Sequence, residues 1–159
     1  MDTKTIIKII SASRTKEYYI TQRKDFKIET ILDSADASVA FSVPDQVYPI
    51  TCESYVVVEH QEYIVKEISP VKNGYRDVKA ILNLEDLEGK LFSTYEKKAT
   101  AEAHLEEALK DTGWKLRCQL DDNTELTIED ENTTAKAIID QVREIFGIEV
   151  RYDTQSKVL

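Results

Sequence analysis

Two stretches decide how this chain is read: TAEAHLEEALKDTGWKLR, from Thr100 to Arg117, and TAKAIIDQVREIFGIEVR, from Thr134 to Arg151. They align without a gap. Thr100/Thr134, Ala101/Ala135, Ala103/Ala137, Gly113/Gly147 and Arg117/Arg151 are identical pairs. Apolar residues meet at Leu105/Ile139, Ala108/Val142, Trp114/Ile148, Leu116/Val150 and Cys118/Tyr152. In the first copy Thr100 supplies an N-cap hydroxyl, and Glu102 places a negative charge in the first turn. Ala101, Leu105, Ala108 and Leu109 then recur at helical spacing. Gly113 is read as the stop, because glycine tolerates the left-handed position that ends helices. Beyond it Trp114, Leu116, Cys118 and Leu120 alternate with polar neighbours, the pattern of a half-buried strand. The second copy repeats this: Thr133 or Thr134 caps, Ala135, Ile138, Ile139, Val142 and Ile145 form the stripe, Gly147 stops it, and Ile148, Val150 and Tyr152 alternate. The expected elements are a helix at 100–112, a strand at 114–120, a helix at 134–146 and a strand at 148–153. The period matches that of tetratricopeptide repeats, but those are helix pairs, and a helix–Gly–strand unit fails that assignment.

Upstream the texture is that of strands. TIIKII, EYYITQ and DFKIETIL are rich in β-branched and aromatic residues. ASVAFSVP places Val39, Phe41 and Val43 on one face, with Pro44 closing the run. SYVVVEH and EYIVKEIS read as a hairpin around His60 and Gln61, and Asn73-Gly74 is a strong type I′ turn signal. Leu84, Leu87 and Leu91 suggest a short helical or irregular crossing broken by Gly89, with a boundary near 88–97. The fold class expected is α+β: a barrel- or sandwich-like β domain over 1–90, then a small α/β subdomain over 97–159.

Apolar residues make up 42% of the 159, enough for a core. No run approaches the roughly 18 apolar residues that span a bilayer, and the N-terminus has no signal-peptide pattern. The expectation is folding in a cytoplasm, without membrane insertion. The formal charge is −9, which opposes phosphate backbones, so nucleic acid is not an expected partner. Cys52 and Cys118 have neither disulfide nor zinc spacing and read as ordinary thiols.

The chemistry-bearing residues form no motif. His104 lies beside the first helical stripe and His60 near a hairpin tip, and neither has partners at catalytic or metal-ligand spacing. Asp121, Asp122, Glu125, Glu129, Asp130 and Glu131 form an acidic run. Counted from Asp121, the calcium-loop positions six and twelve hold Leu126 and Asn132, so the EF-hand pattern fails. No nucleophile–base pair, Walker loop or dinucleotide fingerprint is present. The expected catalytic, metal and cofactor residues are therefore none.

The order of elements carries a resemblance. EYIVKEI (Glu62–Ile68), then NGYRDVKAILNLEDL, LEEALKDTGW (Leu105–Trp114) and NTTAKAIIDQVREIFGIEVRYD resemble the N-terminal region of the tail-hub proteins of siphophages and prophages of Gram-positive bacteria. That family is also described as minor structural or prophage endopeptidase tail proteins. The resemblance runs along essentially the whole chain, although the hairpin tip has His60-Gln61-Glu62 where Gly or Asn is expected. It implies a non-enzymatic part of a baseplate hub that closes the distal tail tube, forms a homotrimer and contacts the distal tail protein and tube. It also implies a place in the virion tail after assembly in the host cytoplasm, and a longer protein of which this is the N-terminal part. Two other readings are a tail-associated cell-wall hydrolase or peptidase, with Asp121, Asp122 and Glu125 as its acids, and a glycan-binding adhesion module.

Overall fold

The computed structural model describes residues 5–30 and 36–159. The described residues form two compact units, 1–83 and 84–159.

The first unit is a seven-stranded antiparallel sheet. Its strands are β1 (Ile7–Ile10), β2 (Glu17–Ile20), β3 (Lys24–Thr30), β4 (Ala37–Pro44), β5 (Tyr55–Val58), β6 (Gln61–Ile68) and β7 (Tyr75–Leu82). Their order is β2-β1-β5-β6-β7-β4-β3. The end of the DFKIETIL run, residues 31 and 32, lies outside the described residues. Alternation sends one apolar face inward. Val39, Phe41 and Val43 are buried as expected, and a row of paired side chains, Val65–Ala80–Val39–Ile28, crosses four strands. No helix covers that face within the described residues of this unit, so the sheet buries it by curling.

Connectivity enforces the curl. β2 and β3 are the two ends of the sheet, yet only residues 21–23 join them. Laid flat, the six strand spacings would set them about 29 Å apart. The short link spans at most about 14 Å. The sheet therefore rolls toward a barrel, and Tyr48 ties the link, its hydroxyl oxygen accepting from the N–H of Thr21 (3.0 Å) and Gln22 (2.8 Å).

Two hairpin turns contrast. Asn73 (φ 52°) and Gly74 (φ 77°) take the left-handed angles their types favour. The β5–β6 turn uses Glu59 (φ 49°) and His60 (φ 65°), because Val58 pairs with Gln61 and leaves two residues between the strands. The tip is thus Glu59-His60, one residue earlier than His60-Gln61. Both side chains sit in a region that L-residues avoid. Replacing the pair by Asn-Gly (Glu59→Asn with His60→Gly) is expected to stabilise the fold by about 1 kcal/mol, read as a higher urea midpoint with unchanged slope. A lower midpoint would show that the turn is not strained.

The second unit contains α1 (Glu85–Glu88), β8 (Leu91–Ala99), α2 (Ala101–Leu109), β9 (Leu126–Thr134) and α3 (Ala135–Phe146). β8 and β9 pair antiparallel, from Leu91↔Thr134 to Ala99↔Leu126. Thr100 and Thr134 cap their helices, accepting from Ala103 N–H at 3.2 Å and Ala137 N–H at 3.1 Å. The buried stripes are those expected, Ala101, Leu105, Ala108 and Leu109 on α2 and Ala135, Ile138, Ile139 and Val142 on α3. Ile145 departs from its stripe and is 46% exposed.

The repeat is strand–helix, not helix–strand. The segments 114–120 and 148–153, expected as strands, form no ladder beyond the isolated bridges of Lys115 and Asp153 with Val158. Their alternation is real: Trp114, Val150 and Tyr152 are buried and Lys115, Arg117, Glu149 and Arg151 exposed. Alternation buries one face, but a strand also needs a neighbouring edge to bond to. The ladder belongs instead to LFSTYEKKA, placed at the expected domain boundary, and to LTIEDENTT, read as an acidic patch. Helix ends also differ from expectation. Gly147 (φ 64°) does close α3, but α2 stops at Leu109, where Asp111 (φ 62°) takes the left-handed position ahead of Gly113. Lys90 completes that end of α2, its ammonium donating to the carbonyls of Glu107 (2.8 Å) and Lys110 (2.6 Å).

Candidate functional site

The sequence gives His104 no catalytic or metal-ligand partners, and the fold buries it completely. α2 aims the ring at the β8–β9 ribbon. Nε2 lies 2.8 Å from the carbonyl oxygen of Leu126, which can only accept, so Nε2 carries the proton. Nδ1 then accepts from the Tyr95 hydroxyl at 2.7 Å. Both ring nitrogens are satisfied, and Tyr95 and Phe146 pack on the ring with centroids 5.8 Å away. This geometry fastens a helix to a ribbon. His60 sits 44 residues nearer the N-terminus, on the β5–β6 turn of the first unit.

Tyr95 has a consequence for pH. Burial pushes its phenol from 10.0 to about 12, and burial does the same to Tyr18 in the first unit. The folded chain therefore keeps two protons that the unfolded chain releases near pH 10. That contribution is fully present below pH about 10 and is lost as pH rises toward about 12. The denaturant midpoint is expected to fall across that window, with tyrosinate absorbance from Tyr18 and Tyr95 rising as the fold opens. A midpoint flat through the window would contradict it.

The acidic run does not converge. Asp121, Asp122 and Glu125 precede β9, while Glu129, Asp130 and Glu131 lie within it. Asp122 accepts from the hydroxyl (2.6 Å) and N–H (2.9 Å) of Thr124, and these bonds hold its carboxyl below the usual range. Asp130 accepts from the Gln141 amide at 2.7 Å. Among the described residues no three His, Cys, Asp or Glu groups are placed to hold a metal ion.

Nucleophiles lack bases. A groove of about 780 Å³ in the first unit is lined by Ser42, Cys52, Asp77 and Lys79 among others. The Ser42 hydroxyl donates to Asp77 at 2.5 Å, and no histidine lines the groove. An aspartate alone orients a hydroxyl but is a weak base for it near neutral pH. Cys52 and Cys118 are free thiols. What the surface offers instead is contact area. Ile6 (69% exposed) and Tyr19 (58%) share a shallow groove with Val57 and Val58, on the β2–β1–β5 end of the sheet. The sequence reading did not single out this patch, whose only signal is an apolar residue on the polar side of each strand's alternation.

Comparison with known proteins gives these features a setting. Residues 93–159 match the family described as the prophage endopeptidase tail domain. The fold is similar to that of prophage tail protein gp18 from Listeria monocytogenes EGD-e, with a TM-score of 0.79 at 20% identity, over 96% of this chain and 49% of that one. It is also similar to the tail protein from Neisseria meningitidis MC58, with a TM-score of 0.62 at 13% identity, over 97% of this chain and 49% of that one. This chain therefore spans about half the length of each solved protein. A search of the curated proteins gave no match. The resemblance to prophage tail proteins read from the sequence holds.

Proposed function

We propose that this chain is part of a phage tail-tip hub, a rigid building block that closes the distal tail tube and joins it to adsorption or lysin modules. The observation that carries this reading is the likeness to a prophage tail protein along nearly the whole chain, joined to the family match over the second unit. The mechanism is geometric. A wedge that presents one surface to its neighbour's different surface closes into a ring when the rotation allows it. The exposed apolar patch around Ile6 and Tyr19 and the end strands of the sheet are suited to such contacts. The partners in this reading are two further copies, the distal tail protein and the tail tube, and the place is the virion tail, after assembly in the host cytoplasm.

Light scattering over a concentration series tests it. A trimer is expected, and Tyr19→Glu is expected to shift it toward monomer by placing a charge in the contact. Monomer at every concentration, together with absence of the chain from purified tail tips, would overturn the reading. Cleavage of cell-wall peptides by the purified chain would favour the peptidase alternative, for which the family's description is the one supporting observation.

A further inference from the structure

Residues 118–125 join the two halves of the repeat and hydrogen-bond to neither. Among the described residues they make no backbone–backbone hydrogen bond, and the Thr124 hydroxyl and N–H donate only to Asp122 within the segment. Asp121, Asp122, Asn123, Thr124 and Glu125 are all exposed. The contacts that hold 126–159 reach past this segment to residues before it. β9 pairs with β8 from Leu91↔Thr134 to Ala99↔Leu126. Ala135 N–H donates to Lys90 O at 2.9 Å, and His104 Nε2 to Leu126 O at 2.8 Å. Lys115 N–H donates to Lys157 O (2.8 Å) and Arg117 N–H to Leu159 O (2.9 Å), while Lys157 Nζ meets Asp86 at 2.7 Å. Phe146 packs on the His104 ring.

The two pieces are alike as well as complementary. Each is a strand followed at once by a helix that a threonine caps, Thr100 or Thr134. The antiparallel ladder sets the start of each strand against the end of the other, so an approximate two-fold axis relates them. Seated on β8, α2 and 115–117, residues 126–159 differ from the same residues of another copy only in being tethered. A short flexible link supplies its own end at an effective concentration of about a millimolar. Asp121, Asp122 and Glu125 carry like charge, with no cation among 118–125, and their repulsion extends the link.

We propose that 118–125 is an exchange hinge: the surface of β8, α2 and 115–117 also takes residues 126–159 of a second copy, and two copies trade them reciprocally. Every contact named above then forms between copies instead of within one. The exchanged dimer and the monomer differ only in the course of the hinge and in the entropy of closing it, so chain concentration decides between them. Exchange requires 126–159 to come away first. It therefore proceeds through unfolding of the second unit and is trapped when that unit refolds. It involves the second unit alone and is independent of the ring reading.

Refolding the whole chain from urea at about a millimolar, beside a sample about a hundredfold more dilute, tests it. Light scattering is expected to show added dimer from the concentrated sample and none from the dilute one. A second reading needs no variant. An equal mixture of light and heavy-nitrogen chains is refolded, and a carbodiimide then joins Lys157 to Asp86. Linked peptides with one light and one heavy member are expected from the concentrated sample only. In a variant whose residues 119–125 are replaced by the recognition sequence of a site-specific endopeptidase, cutting the hinge is expected to return the dimer to monomer size, because each half then holds together without the link. No gain in mass on concentrated refolding, linked peptides of a single isotope only, or a dimer that survives the cut overturns the exchange. The ring reading is judged separately, on chain that has never been unfolded.

Discussion

Replacing His104 by alanine is expected to destabilise the second unit by about 3–4 kcal/mol, the largest effect of any single polar residue in that unit. Two losses combine. The imidazole fills space between α2, the ribbon and Phe146, and its removal leaves a cavity. It also strands the buried Tyr95 hydroxyl and the part-buried Leu126 carbonyl, which bonded to opposite sides of the ring. An unmet buried polar group costs about 1–3 kcal/mol. Tyr95→Phe separates the terms: it keeps the aromatic ring and removes the hydroxyl, leaving Nδ1 without its donor, and should cost about 1–3 kcal/mol. Urea unfolding, with amide exchange of the β9 residues as a local reading, measures both. If His104→Ala costs under about 1 kcal/mol, the histidine is not the bolt between helix and ribbon.

Phe41→Ala is expected to cost the first unit about 3–5 kcal/mol. Phe41 is 2% exposed, sits opposite Val78, and belongs to β4, which bonds to β3 and β7 along its length. A curled sheet has no helix to slide into the space, so relaxation around a lost ring is limited by strand pairing on both sides. Val71→Ala is the matching control. Val71 is 45% exposed, and its truncation should stay within about 0.5 kcal/mol. A Phe41→Ala effect as small as that of Val71→Ala would mean that the inner face is not a packed core.

Much of this was legible before any coordinates. The Thr100 and Thr134 caps, the two helical stripes, the inward Val39, Phe41 and Val43, and the turn at Asn73-Gly74 are all local statements. A cap is satisfied by an N–H three residues away, and a stripe by the 3.6-residue period. The reading of His104 as structural also held, though its two partners lie nine residues back on β8 and 22 residues on, at the start of β9.

What misled the reading was everything that needs a distant edge. Segments 114–120 and 148–153 alternate as well as true strands do, yet alternation reports only which side is buried. LFSTYEKKA and LTIEDENTT alternate poorly and their charges disguise them, but they find each other and form the ladder. The Glu59-His60 turn was likewise set by the pairing of Val58 with Gln61, against the preference of its own residues.

The amino-acid sequence by itself determined the caps, the periodicities and the apolar faces, because these depend on neighbours within one turn or one strand. Only the tertiary structure decided which extended segments became strands and how the sheet rolled. Backbone hydrogen bonds between strands join residues far apart in the chain, and which edges meet is settled by the packing of the whole unit.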